Sequence, residues 1–228
     1  VKVYLHDGTR LSARTLGQHL DGQEDCGLII INGDDIESLK QPLTALKLGD
    51  SDMVQAGDWV LAFGHALGIQ KFPWRPPPAR IGCITSNYGH VLTMDAPLNG
   101  GDSGGPLLDM NGNVIGINES CARHPFQNAA TAISVAIDKM PQLLQGISSG
   151  ATLPNSADNF ELENQNKGTR RLVYDEVNPN GGRNAPAVRA AFADASWDAA
   201  DWIVRVFGNG REIALGLVVD ASGLAVTK

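Results

Sequence analysis

Asn99-Gly100-Gly101-Asp102-Ser103-Gly104-Gly105-Pro106 is the stretch on which the reading of this chain turns. Glycine loses more backbone freedom on folding than any other residue, so glycines on both sides of a serine need a geometric reason. A nucleophilic serine supplies one. Its loop must present Oγ at a surface and aim backbone N–H groups at one spot, where a tetrahedral oxyanion can be held. Here the Gly101 and Ser103 amides form that hole, with the Asp102 N–H between them. A bare Gly-x-Ser-Gly reads better as a glycine-rich β-turn. The whole Gly-Asp-Ser-Gly-Gly-Pro run favours the nucleophile.

Outward from the loop, the pattern is short strands and turns. Arg80 to Asn87 and Val91 to Asp95 precede it around Tyr88-Gly89. Pro106 to Asp109 and Val114 to Asn118 follow it across Asn111-Gly112, a dipeptide that signals a type I′ hairpin, and Thr131 to Val135 reads as a further strand. Upstream, Val1 to Leu5 and Leu11 to Leu16 flank Asp7-Gly8, Cys26 to Ile31 is a buried strand, and Trp59 to Phe63 follows Gly57-Asp58. Residues 72–79 carry four prolines around Trp74 and read as an extended surface loop. Ile137 to Leu144 has helical spacing limited by Pro141. Many short strands separated by turn residues predict an all-β barrel or sandwich.

Past Gly146 the character changes. Residues 146–186 have Ser, Asn and Gly runs with no consistent period and read as a linker. Within 187–228 a short Ala-rich helix is expected over Ala187 to Ala195, then strands at Trp202 to Phe207, Arg211 to Val219 and Leu224 to Thr227, turning at Asn209-Gly210 and Ala221-Ser222-Gly223. That piece is too small for a core of its own.

Composition bounds the function classes. The chain has 228 residues, 43% hydrophobic and 19% charged, an ordinary globular balance. With a net charge of −7 and no basic cluster, nucleic acid is not an expected partner. The apolar runs, such as Gly27-Leu28-Ile29-Ile30-Ile31, are too short for a transmembrane segment. Both ends fall within apparent strands and read as cut. Cys26, Cys83 and Cys121 have no metal-ligand spacing; Cys26 and Cys83 read as core positions. Neither a metal site nor a cofactor is expected.

A serine nucleophile needs a base, and the base an orienting acid. Asp25 is the best acid, standing where the apolar run from Cys26 enters a core, although a turn-capping role fits that position equally. The signature at 101–106 resembles that of trypsin-like serine proteases. Asp25-Cys26-Gly27-Leu28 is similar to the Asp-x-Ala-Leu acid motif of the HtrA/Deg branch, with Gly27 in place of alanine. In order and at compatible spacing, Leu5-His6-Asp7-Gly8, Gly57-Asp58-Trp59-Val60-Leu61-Ala62-Phe63-Gly64, Thr93-Met94-Asp95-Ala96 and Asn113-Val114-Ile115-Gly116-Ile117-Asn118 resemble further segments of that family.

The resemblance covers residues 1 to about 145. It implies a trypsin-like double β-barrel and a serine endopeptidase acting on unfolded or peptide substrates through an acyl-enzyme. It also implies a protein quality-control role, an extracytoplasmic (periplasmic) setting, and room for a homo-oligomer. The family's catalytic histidine falls before Val1, and His6, His19, His65, His90 and His124 all read as surface residues, so no catalytic histidine is expected in this chain. Residues 214–227 resemble the family's hairpin that leads into that histidine.

The expected organisation is therefore a truncated protease domain over 1–145 with its first barrel incomplete, the linker, and the first strands of a second protease-like domain over 187–228. The rarer alternative is that residues 201–228 complete the first barrel, in cis or by swapping. The substrate pocket is expected around Leu98 and Ile117, for small or medium aliphatic residues. The competing functional class is a catalytically inactive binding or scaffold domain that keeps the fold.

Overall fold

The structure, a computed structural model, describes residues 1–20, 25–66, 77–120, 128–133 and 203–227, with Ala187 and Ala190 in helical conformation. The side chains of 18–20, 25 and 211–213 lie outside that description. So do residues 67–76, with most of the proline-rich loop expected at 72–79, the expected helix after Ile137, the linker, Cys121 and His124.

The strands are β1 (Lys2–Tyr4), β2 (Arg10–Leu20), β3 (Asp25–Ile31), β4 (Trp59–Phe63), β5 (Ala79–Asn87), β6 (Val91–Met94), β7 (Pro106–Leu108), β8 (Val114–Ser120), β9 (Asn128–Ala132), β10 (Ile203–Gly208), β11 (Arg211–Val218) and β12 (Leu224–Thr227). One short helix, α1 (Gly33–Glu37), follows β3. It starts where the Asn32 side chain accepts the Asp34 N–H at 3.1 Å, with Asp34 and Asp35 in the first turn, where the helix end favours negative charge.

The strands close into two six-stranded antiparallel barrels, ordered β1-β10-β11-β12-β3-β2 and β4-β5-β6-β9-β8-β7. The all-β double barrel is as expected, but the first barrel is not incomplete. Residues 203–227 fill the gap between β1 and β3, with Val3 opposite Val206 and Val226 opposite Leu28. The physical reason is edge pairing. Without β10–β12, both β1 and β3 would present a row of unsatisfied N–H and C=O groups.

Period-2 alternation sorts the apolar side chains into three layers. Ile29, Ile31, Val204, Val206, Val218 and Ala225 fill the first barrel with Val3 and Leu11. Val60 and Ala62 point into the second barrel with Ile84, Leu92, Met94 and Leu107. The alternate residues of the same strands, Leu28, Leu61, Phe63, Leu215 and Leu217, meet Leu108 and Ile117 in a third layer shared by both barrels. Runs such as Cys26 to Ile31 are continuous in apolar character because both faces of the strand are buried.

Two local expectations change. Asn111-Gly112 is not a type I′ turn, since only Gly112 has positive φ; the Asp109 carboxylate accepts the Asn111 and Asn113 N–H groups and holds a wider loop. The two-residue turn with both residues at positive φ is Asn209-Gly210. The strand expected at Thr131 instead begins at Asn128, whose Nδ2 donates to the Ala96 carbonyl at 2.6 Å.

Candidate active site

The serine loop joins β6 to β7 and is fastened from three sides. The Gly104 N–H donates to the Asn118 carbonyl at 2.9 Å, and the Asn118 N–H returns to the Gly105 carbonyl at 2.8 Å. Asn118 is fully buried, and its Nδ2 donates to the Phe63 carbonyl at 2.8 Å, joining β8 to the end of β4. Leu215 of β11 reaches across from the first barrel, its N–H donating to the Ser103 carbonyl at 3.2 Å. The segment at 203–227 therefore touches the site directly.

The glycines have separate reasons. Gly101 and Gly104 adopt φ of +100° and +83°, which side chains rarely tolerate. Gly105 is packed so close beneath the Phe63 carbonyl that a Cβ would collide with it.

This wiring leaves the Gly101 and Ser103 donors open, along with that of Gly100. The Asp102, Gly104 and Gly105 N–H groups donate to Asn99, Asn118 and Asp102 carbonyls respectively. Among the described residues, the Gly101 and Ser103 N–H groups have no acceptor. Of the three amides expected at an oxyanion hole, those of Gly101 and Ser103 are open, while that of Asp102 closes the turn on Asn99 at 3.1 Å. The half-buried Ser103 directs Oγ to the Glu119 carbonyl at 3.3 Å.

Asp102 turns inward and is only 1% exposed. Its Oδ2 accepts the Asn99 N–H at 2.7 Å, and Oδ1 lies 3.1 Å from the Arg80 guanidinium of β5. Burial pushes its carboxyl above the ordinary carboxylate range, opposed by the Asn99 hydrogen bond, Arg80 and the charge of His65. His65 is buried, not on the surface as expected, because the Gly64-His65 turn packs over Asp102. His6 is exposed and His90 half-buried.

Asp25 opens β3 opposite Leu20, but its carboxylate lies outside the described residues, as does the His19 side chain. The backbone therefore sets Asp25 at the strand entry. Among the described residues, Leu98 and Ile117 belong to different core clusters. Leu98 packs with the second-barrel core, while Ile117 is fully buried in the layer between the barrels, where neighbouring side chains already fill its surroundings. Cys26 and Cys83 sit in different barrels. Among the described residues no group of His, Cys, Asp or Glu could hold a metal ion, and no helix is long and apolar enough to cross a membrane.

Sequence reasoning missed Arg80, His65, Asn118 and Leu215. None carries a local signal: each matters through a partner distant in the chain, and only a strand register brings the two together.

Comparison with known proteins agrees with this geometry. The chain is 36% identical over 121 residues to the periplasmic serine endoprotease DegP of Salmonella typhimurium, covering 52% of this chain and 24% of that protein. It is 34% identical over 152 residues to a probable periplasmic serine endoprotease, DegP-like, of Pseudomonas fluorescens, covering 64% of this chain and 30% of that one. It thus spans only about a quarter to a third of these relatives' length. A solved structure described as the HtrA-type protease AlgW with decapeptide superposes with a TM-score of 0.50 at 28% identity, over 64% of this chain and 44% of that one. The trypsin-like peptidase domain family matches residues 1–117, the part that holds the serine loop, its two open amides and the strand entered by Asp25, and the chain belongs to that family.

Proposed function

We propose that this chain carries the nucleophile half of a serine endopeptidase site. The observation that supports it best is the pair of open amides, Gly101 and Ser103, on either side of Asp102 in a loop whose Asp102, Gly104 and Gly105 amides are hydrogen-bonded. In this reading Ser103 Oγ attacks the scissile carbonyl and its proton passes to a histidine oriented by Asp25. The oxyanion accepts from the two amides, the leaving amine takes the proton from the histidine, and water then hydrolyses the acyl-enzyme.

The histidine comes from outside residues 1–228. One route is favoured by register: Thr227 of β12 stands opposite Gly27, so chain continuing that strand runs past Asp25. The other is chain preceding Val1. The substrates are extended peptide segments of unfolded proteins in an extracytoplasmic compartment, where quality control of damaged proteins takes place; the relatives' names support that setting.

Labelling with a fluorophosphonate, read by mass spectrometry, tests the reading. The chain as it stands is compared with versions extended before Val1, after Lys228 or on both sides, and with Ser103→Ala in each. Labelling at Ser103 in an extended form, absent in Ser103→Ala, is the expected result. Folded proteins that never label overturn the catalytic reading in favour of a binding module.

A further inference from the structure

Four large apolar side chains stand exposed among the described residues: Met53, Trp59, Tyr88 and Met110. All but Tyr88 line one groove of about 390 Å³ on the second barrel, whose lining reaches the buried Val60 and Ile115. Apolar residues scattered singly on a surface need no explanation; three gathered in one concavity of ligand-site size do.

The walls of the groove are fastened turns. The Asp50 carboxylate accepts the Asp52 N–H at 3.0 Å and caps the 3-10 turn Ser51–Met53. Asn87 Nδ2 ties that turn to β5 through the Ser51 carbonyl at 3.0 Å. The Asp58 carboxylate accepts the Gln55 N–H at 2.8 Å, just ahead of β4. Asp109 holds the loop that carries Met110, accepting the Asn111 and Asn113 N–H groups. The groove is thus preformed, so little ordering is lost when it is filled.

These hydrogen bonds explain why aspartates stand there, but not the charge they leave. All three carboxylates line the groove and no Lys or Arg does. Asp50 Oδ2 and Asp58 Oδ1 have no donor among the described residues. An apolar groove set with anions suits a cation on an apolar stem, which is what a Lys or Arg side chain is. Its head meets a carboxylate and the Trp59 ring while the stem lies on apolar surface. Met53 and Met110 are flexible and polarizable, and adapt to neighbouring side chains of different shape. The serine loop lies elsewhere. Trp59 opens β4, and Phe63 at its other end meets Gly105, so about 13 Å of strand separates the two places.

We propose that this groove docks a polypeptide segment that presents a Lys or Arg beside apolar side chains. Docking there does not depend on acyl transfer at Ser103, so either reading can fail without the other.

The test is calorimetric titration of the chain with the end-blocked peptide Gly-Leu-Arg-Leu-Arg-Leu-Gly. One control peptide carries Gln for both Arg, and another carries Ser for every Leu. The Arg–Leu peptide is expected to bind more weakly as salt rises, and about fivefold or more tighter than either control. Asp50→Asn with Asp58→Asn, which keeps both hydrogen-bond acceptors, is expected to weaken binding about fivefold. Trp59→Ser is expected to weaken it about tenfold or more. If Trp59→Ser does not fold, Met53→Ser with Met110→Ser, both at exposed positions, gives the corresponding loss.

Peptide binding that none of these variants changes, or that either control shares in full, overturns the proposal. A chain that binds no peptide overturns it as well. If that chain also self-associates in sedimentation and becomes monomeric with Trp59→Ser, the occupant is a second copy.

Discussion

Gly105 lies so close beneath the Phe63 carbonyl that a methyl group there must push β4 and the serine loop apart. Gly105→Ala is expected to cost about 3 kcal/mol, the upper end of ordinary overpacking, because the clash is with backbone, which cannot rotate away. A urea titration measures it, and a change within experimental error would show that the loop can shift. Asp102 gives a second prediction at this scale. Burial raises its carboxyl above the usual 3.8, so the folded state binds its proton more tightly than the unfolded state does. Its contribution to stability is then fully present below that ordinary value and is lost as pH rises through the raised one. The stability difference between the parent and Asp102→Asn should therefore move against the parent as pH rises above that ordinary value. A difference that is flat, or that moves the other way, contradicts the burial argument.

Among the elements, β10–β12 decide most. They supply half of the first barrel and carry the Leu215 N–H that meets the Ser103 carbonyl. Deleting residues 203–228 removes Val204, Val206, Val218 and Ala225 from a core that also holds Val3, Leu11, Ile29 and Ile31. The edges of β1 and β3 would be left open. The expected outcome is a protein that binds a hydrophobic dye and aggregates, while part of the far-UV β signature, that of the second barrel, persists. A deletion variant that stays monomeric and cooperatively folded would mean that the first barrel does not need these strands.

At the scale of the whole molecule, the two barrels share one apolar layer, with Leu28, Leu215 and Leu217 from one side and Leu61, Phe63, Leu108 and Ile117 from the other. They should therefore unfold as a unit. Leu217→Ala, at a fully buried position in that layer, is expected to destabilise by about 2–5 kcal/mol. It should also lower a single transition seen alike by calorimetry and by tryptophan fluorescence. Two separate transitions, only one of them shifted, would show that the barrels are energetically independent.

The serine loop and the strand character were legible in the sequence because both are local. Gly101, Gly104 and Gly105 announce unusual backbone at the loop, and alternation with turn residues announces short strands. The family motifs along residues 1 to about 145 are contiguous runs of the same kind. What the sequence did not determine is pairing across distance. Whether 203–227 opens a new unit or closes the first barrel depends on which strand edges are left unpaired, and no stretch of the chain carries that information alone. Asp102 likewise reads as a loop residue whose amide joins the hole, until the fold places Asn99, Arg80 and Gly64 around it. Ile117 has the apolar character of a pocket wall, but the packing of two barrels, which sequence periodicity does not encode, spends that side chain on the core. Local backbone preference is written residue by residue; burial and charge pairing are properties of the surface that another strand covers.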